Sequence, residues 1–139
     1  MAEQFTIQKM IRARPEQVIQ TWLESRLHNV ITGGNYQIDP VAGGKFTAWD
    51  GYITGTIIEI EPPIRISMHW RASEFPQDAP DSQLELSFEG KGNETLITLK
   101  HSNIPEGLGE SYRQGWLNFY LNALVKYYSK TDKTGKNDE

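Results

Sequence analysis

The strongest constraint on this chain is its last long segment, a helical pattern whose apolar side is mostly aromatic. Tyr112, Trp116, Phe119, Tyr120, Ala123, Leu124 and Tyr127 recur at spacings of three and four, a broad apolar face over several turns. Such a face has to be buried against another element. Lys126 and Lys130 near its end suit the helix dipole. The polar stretch 131–139 is expected to be a disordered tail, leaving 1–130 as one domain.

The text before that helix supplies its partner. From Tyr36 to His101 it is β-like and broken by turn signals. Lys45-Phe46-Thr47-Ala48-Trp49 follows Gly43-Gly44, and Asp50-Gly51 turns the chain into a strand over Tyr52 to Ile60. Pro62-Pro63 ends that strand, because neither residue can donate to a ladder. Ile64 to Arg71 alternates cleanly, Phe75 to Asp81 is a Pro-bearing loop, and Leu84–Phe88 with Thr95–Leu99 form a hairpin through Gly90-Lys91-Gly92-Asn93. At the N-terminus, Phe5 to Arg12 reads as a strand. Pro15 opens a helix with Val18, Ile19, Trp22 and Leu23 on one face. A second short helix over Ser25 to Val30 stops at Gly33-Gly34. The order is strand, two small helices, about six strands, then the long helix. Short turns between strands imply an antiparallel sheet, and the fold class is α+β with a curved sheet wrapped around the C-terminal helix. A wrap of this kind can leave a cavity between sheet and helix.

Composition narrows the function. At 139 residues with 37% hydrophobic and 23% charged, one core is expected, and a wholly disordered chain is excluded. There is no cysteine, which removes thiolate and disulfide chemistry. No membrane span or secretory leader is visible, so a cytoplasmic location is expected. The net charge of −4 argues against a nucleic-acid partner, which would need a basic surface. Four Trp among 11% aromatics is a large stacking surface for so short a chain.

No motif supplies a cofactor or a metal. His28, His69 and His101 are scattered, and satisfied or surface histidines are the expectation. Gly43-Gly44-Lys45 lacks the rest of a phosphate loop and reads as a turn, as does Asn93-Glu94-Thr95. Glu59 and Glu61 share a strand face, expected to be solvated. His101, Arg71 and Asp50 are the polar groups nominated for acid–base work, and no carboxylate stands at fixed spacing from His101 to orient it. Catalysis is not the expectation.

The series Gly43-Gly44-Lys45-Phe46, Trp49-Asp50-Gly51-Tyr52-Ile53-Thr54-Gly55, Pro62, Met68-His69-Trp70-Arg71, Phe75-Pro76, Thr95-Leu96, His101, Ile104-Pro105 and Arg113-Gln114-Gly115-Trp116-Leu117-Asn118-Phe119-Tyr120 is distinctive as a set. It resembles the C-terminal domain of the activator of heat-shock protein 90 ATPase, a branch of the START-like superfamily, from about Phe5 to Tyr128. The resemblance implies the helix-grip fold. It also implies two kinds of function: a ligand cavity, as in superfamily members that bind lipids, hormones or polyketides, or a co-chaperone role. The co-chaperone's additional N-terminal domain is not expected beside this one, so ligand binding leads and a heat-shock protein 90 partner is the alternative.

The expected ligand is a small apolar or aromatic molecule. Its expected contacts are Trp22, Phe46, Trp49, Met68, Trp70, His101, Trp116 and Tyr120, with Arg71 as a charged end. The pocket should open near the start of the long helix. Gly inside a helix costs about 1 kcal/mol relative to Ala, so Gly115 needs a reason. Close approach to another element is expected there, with Trp116 largely buried and Arg113 and Gln114 free for turn backbone or ligand.

Overall fold

The computed structural model describes residues 2–25, 28–29, 35–61 and 64–133. The chain runs β1 (Glu3–Ile11), α1 (Pro15–Leu23), β2 (Gln37–Ile38), β3 (Lys45–Ala48), β4 (Ile53–Glu61), β5 (Arg65–Ala72), β6 (Ser82–Lys91) and β7 (Glu94–Ile104). A long C-terminal helix follows, built from α2 (Gly109–Gly115), a π-helical turn (Trp116–Leu121) and α3 (Asn122–Lys133). Its backbone thus continues into the stretch expected to be tail, while 134–139 lie outside the described residues. The expected second helix is only partly described: Ser25, His28 and Asn29 are helical, and the Gly33-Gly34 stop falls outside the described residues.

All seven strands form one antiparallel sheet in the order β1-β7-β6-β5-β4-β3-β2. The meander from β2 to β7 accounts for five of the six pairings. β1 then pairs with β7, so the N-terminal strand lies at the sheet edge reached last. Strand alternation puts one face inward: Ile66, Met68, Trp70 and Ala72 from β5, Leu84, Leu86 and Phe88 from β6, and Ile97, Leu99 and His101 from β7. Beyond His101 the parity changes, since Asn103 takes φ +57° and Ile104 becomes the next buried residue.

α1 starts where Pro15 sits in its first turn, and the Gln17 side chain accepts a hydrogen bond from the Arg14 N–H at 3.0 Å. Val18, Ile19, Thr21 and Trp22 are its buried side. The Thr21 hydroxyl meets the Tyr128 hydroxyl at 2.5 Å and donates to the Gln17 carbonyl, tying α1 to the far end of the long helix.

The π turn changes which residues of the long helix face inward. Asn122 N–H donates to the Leu117 carbonyl, five residues back, and the extra residue rotates everything beyond it. Uniform three–four spacing places Phe119 and Tyr127 on the apolar face. Instead Tyr112, Tyr120, Leu121, Leu124 and Tyr128 are buried, and Phe119 is 61% exposed.

Candidate functional site

Sheet and helix do not close on each other everywhere. Between β3, β4 and β5 on one side and the start of the long helix on the other lies a cavity of about 420 Å³. That volume falls in the range of sites for drug-sized ligands, about 300–1,000 Å³. Phe46, Ala48, Ile53 and Trp70 form the sheet wall. Trp22, His28 and Tyr36 form the inner end, and Ser111, Tyr112, Gly115, Trp116, Phe119 and Tyr120 form the helix wall. Trp49 and Tyr52, on the β3–β4 turn, complete the mouth.

Several local features keep this space open. Gly55 pairs with Phe46 across β3 and β4, and a Cβ at Gly55 would lie 2.2 Å from the Phe46 ring. Only glycine lets that ring lie flat on the sheet. Trp49 and Asp50 both take positive φ, +54° and +57°, ahead of Gly51 at +89°. For a bulky residue such as Trp49 this is a strained conformation, costing on the order of 1–3 kcal/mol. The strained turn carries the 41%-exposed Trp49 ring to the mouth, where its edge meets Phe119 at 6.1 Å.

Gly115 differs from the expectation. A Cβ built there meets no atom within 4 Å, because it would point into the cavity rather than against a neighbour. The glycine leaves room for an occupant instead of permitting a close contact. Trp116 is correspondingly half-buried, not sealed against the sheet. It stacks on Trp22 at 5.7 Å and faces Trp70 at 6.0 Å. Arg113 and Gln114 both engage Glu110, one turn back on their own helix.

Of the nine nominated ligand contacts, Trp22, Phe46, Trp49, Trp70, Trp116 and Tyr120 come together around this cavity. Met68, Arg71 and His101 do not. Met68 shares Trp70's inward parity but is wholly buried beneath the wall. Arg71 has the opposite parity, so it cannot be the charged end of the pocket. Its guanidinium donates to the Ala79 carbonyl at 2.7 Å and the Pro76 carbonyl at 2.9 Å, and pairs with Asp81. Asp50 is exposed on the turn and accepts from Asn35.

His101 is held in a directed chain of hydrogen bonds. Ser82 Oγ must donate to the Trp70 carbonyl at 2.7 Å, so it accepts from His101 Nε2–H at 2.8 Å. The other ring nitrogen, Nδ1, then accepts from Trp116 Nε1–H at 3.1 Å. Both nitrogens are committed and the ring is neutral, with burial lowering its pKa to about 3. His101 therefore positions Trp116 from behind the wall and is not a free base. His28 is likewise held neutral by burial, near 4, and stacks on Tyr36 at 3.6 Å.

The inner end also contains buried polar atoms. Trp22 Nε1 and the hydroxyls of Tyr36 and Tyr120 have no hydrogen bond of normal geometry among the described residues. Burial raises both phenols well above their usual pKa; the Trp22 N–H offsets part of the rise at Tyr36 without reaching bonding geometry.

Sequence reasoning missed the polar cluster at the mouth. Tyr52 and Tyr112 each donate to the same oxygen of Glu74, Oε2, at 2.5 Å. Burial raises the Tyr52 phenol to about 12, helped by the neighbouring carboxylate, and Tyr112 rises for the same two reasons. Partial burial pushes Glu74 upward, but the two phenol hydrogen bonds outweigh it and hold the carboxyl below its ordinary range. No local spacing joins residues 52, 74 and 112; only the register of β4 with β5 and the helix placement does. The Glu59–Glu61 pair, by contrast, is bridged with Glu85 by Arg65 on the sheet surface. Among the described residues no group of three His, Asp or Glu is placed to hold a metal ion, and no helix is long and apolar enough to cross a membrane.

Comparison with known proteins places this architecture. Residues 12–129 match the family model described as Activator of Hsp90 ATPase homolog 1-like protein. The mouse Activator of 90 kDa heat shock protein ATPase homolog 1 is 26% identical over 123 residues, 88% of this chain. The chain spans only 36% of that relative's length. Among solved structures, an HSP90 activator from Plasmodium falciparum superposes with a TM-score of 0.85 at 24% identity, covering 91% of this chain and 96% of that one. CalU16 from Micromonospora echinospora gives 0.78 at 26% identity, covering 92% and 77%. The two solved structures share the helix-grip architecture.

Proposed function

The chain belongs to the Activator of Hsp90 ATPase homolog 1-like family, and from that premise we propose that this domain binds a small apolar or aromatic molecule between its sheet and its long helix. The observation that carries the reading is the aromatic cavity itself. Protein interiors are close-packed, with few voids larger than a water molecule. Here about 420 Å³ stays open beside Gly115, walled by Trp22, Phe46, Trp70, Trp116 and Tyr120. No Lys, Arg, Asp or Glu lines it among the described residues. Such a wall favours flat apolar bodies, which it contacts through stacking and dispersion.

Titration of intrinsic tryptophan fluorescence against a library of lipids and aromatic compounds tests this. Three of the four Trp in the sequence surround the space with Trp49 at its mouth, so occupancy must perturb the emission. A saturable change with at least one compound class is expected. A flat response across the library, repeated by calorimetry, refutes the reading.

A second reading rests on the relatives, which are described as activators of the Hsp90 ATPase. In that reading the domain binds an Hsp90 chaperone from its own cell and raises its ATPase rate. The assay is direct. Absence of both binding and stimulation at high micromolar concentration removes it.

A further inference from the structure

The ligand's polar end can be read from the mouth of the cavity. We propose that the site selects a cationic ligand: an apolar or aromatic body carrying an ammonium or similar positive group, with the charge held at the mouth by Glu74 and the surrounding aromatic faces. The inference rests on the cavity being a ligand site, and it goes further by naming the charge the occupant carries.

Three observations converge. First, Glu74 is not itself a lining residue, but two residues that line the cavity, Tyr52 and Tyr112, both donate to one of its carboxylate oxygens and so hold it next to the opening. No other side chain bonds this carboxylate, and no cation pairs with it, among the described residues. Arg71, three positions earlier, is committed to Asp81, to loop carbonyls and to the face of Phe75. An anchored, unneutralised carboxylate beside an apolar hole is a counter-charge waiting for a partner.

Second, among the described residues the cavity wall contains no Lys or Arg. The one basic side chain among its described residues, His28, is buried in stacking contact with Tyr36. An anionic ligand would enter an uncompensated apolar space past a negative group. Third, aromatic rings flank the same opening, with Trp49 and Phe119 exposed and Trp116 half-buried behind them. Ring faces attract a cation through their quadrupole and repel an anion, whereas a neutral hydroxyl gains nothing from them. Carboxylate and rings therefore act in the same direction on one charge.

The test is calorimetric titration at pH 7 of three probes that share one ring system: 1-naphthylmethylamine, which is an ammonium at this pH, 1-naphthylmethanol and 1-naphthoate. The amine should bind about tenfold tighter than the alcohol, with the carboxylate weakest. Glu74→Gln should cut the amine's advantage over the alcohol to about threefold, the part the rings supply. Glu74 is exposed, and a urea melt checks that the variant folds. Tyr52→Phe, which removes one of the two anchors, should lower the advantage by an intermediate amount. Equal binding of all three probes, or an amine preference untouched by Glu74→Gln, overturns this proposal and leaves the cavity reading intact. No binding of any probe, together with a blank fluorescence library, overturns both.

Discussion

Acidification should destabilise this protein well above the pH at which carboxylates titrate. His28 and His101 are buried and neutral in the folded state, with pKa lowered to about 4 and about 3. In the unfolded chain each protonates near 6.5. Below that pH the unfolded state binds protons that the folded state refuses, so stability falls with pH until the folded pKa is reached. Each histidine removes about 1.4 kcal/mol per pH unit over that window, or about 2 kcal/mol between pH 6.5 and 5. Together they remove about 4 kcal/mol, a large part of the stability of a small domain. With an m-value of about 2 kcal/mol per molar urea, the midpoint should drop by about 2 M between pH 7.5 and pH 5. Glu3 and Glu74, both lowered by their hydrogen bonds, add to the loss only as the pH approaches 4.5 and below. The window from 6.5 to 5 is therefore a histidine signal. His101→Gln keeps a neutral acceptor for Trp116 and should halve the drop relative to its own value at pH 7.5. Coincident urea curves at pH 7.5 and pH 5 would refute the neutral, buried assignment. An undiminished drop in His101→Gln would show that His101 does not carry its share.

Other perturbations follow from the cavity and its supports. Gly115→Leu should not destabilise, because its side chain enters open space and removes a helix-interior glycine; a gain of up to about 1 kcal/mol in a urea melt is expected, with ligand response lost in the fluorescence titration. A loss of 1–3 kcal/mol would restore the close-packing explanation. Trp116→Ala should cost about 2 kcal/mol: the half-buried ring puts it below the range for fully buried aromatics, and leaving His101 Nδ1 without a donor adds to it. Tyr128→Phe should cost about 1 kcal/mol in thermal or urea melts by removing the hydroxyl contact with Thr21 that joins α1 to α3.

The His101 chain also explains why an apparently catalytic residue type sits beside the site without serving it. Protonation would place a hydrogen on Nδ1 against the Trp116 N–H, so the interaction that orients the indole requires the neutral ring. Through Ser82 the same ring is joined to the Trp70 carbonyl. Two of the tryptophans on the cavity wall are thus linked through one histidine.

Local patterning was enough to define an antiparallel sheet curved around the C-terminal helix. Two-residue alternation in Ile64 to Arg71, turn residues at Asp50-Gly51 and Gly92-Asn93, and the aromatic repeat from Tyr112 onward are properties of neighbouring residues, and periodicity reads neighbours. Apolar strands and the helix face similarly marked Trp22, Phe46, Trp49, Trp70, Trp116 and Tyr120, which the fold gathers around one cavity. Strand parity between neighbours, by contrast, depends on register, so Arg71 and His101 could not be placed from their own segments. The π turn at Trp116–Leu121 shifted the inward face by one residue, exposing Phe119 and burying Tyr128, and nothing in a three–four repeat encodes such a turn. The meaning of Gly115 was ambiguous because a missing side chain can serve either contact or space, and only the neighbours' positions distinguish them. The Tyr52–Glu74–Tyr112 cluster is the extreme case: its members lie 22 and 38 residues apart, and long-range contacts of that kind arise only when the sheet and helix close together.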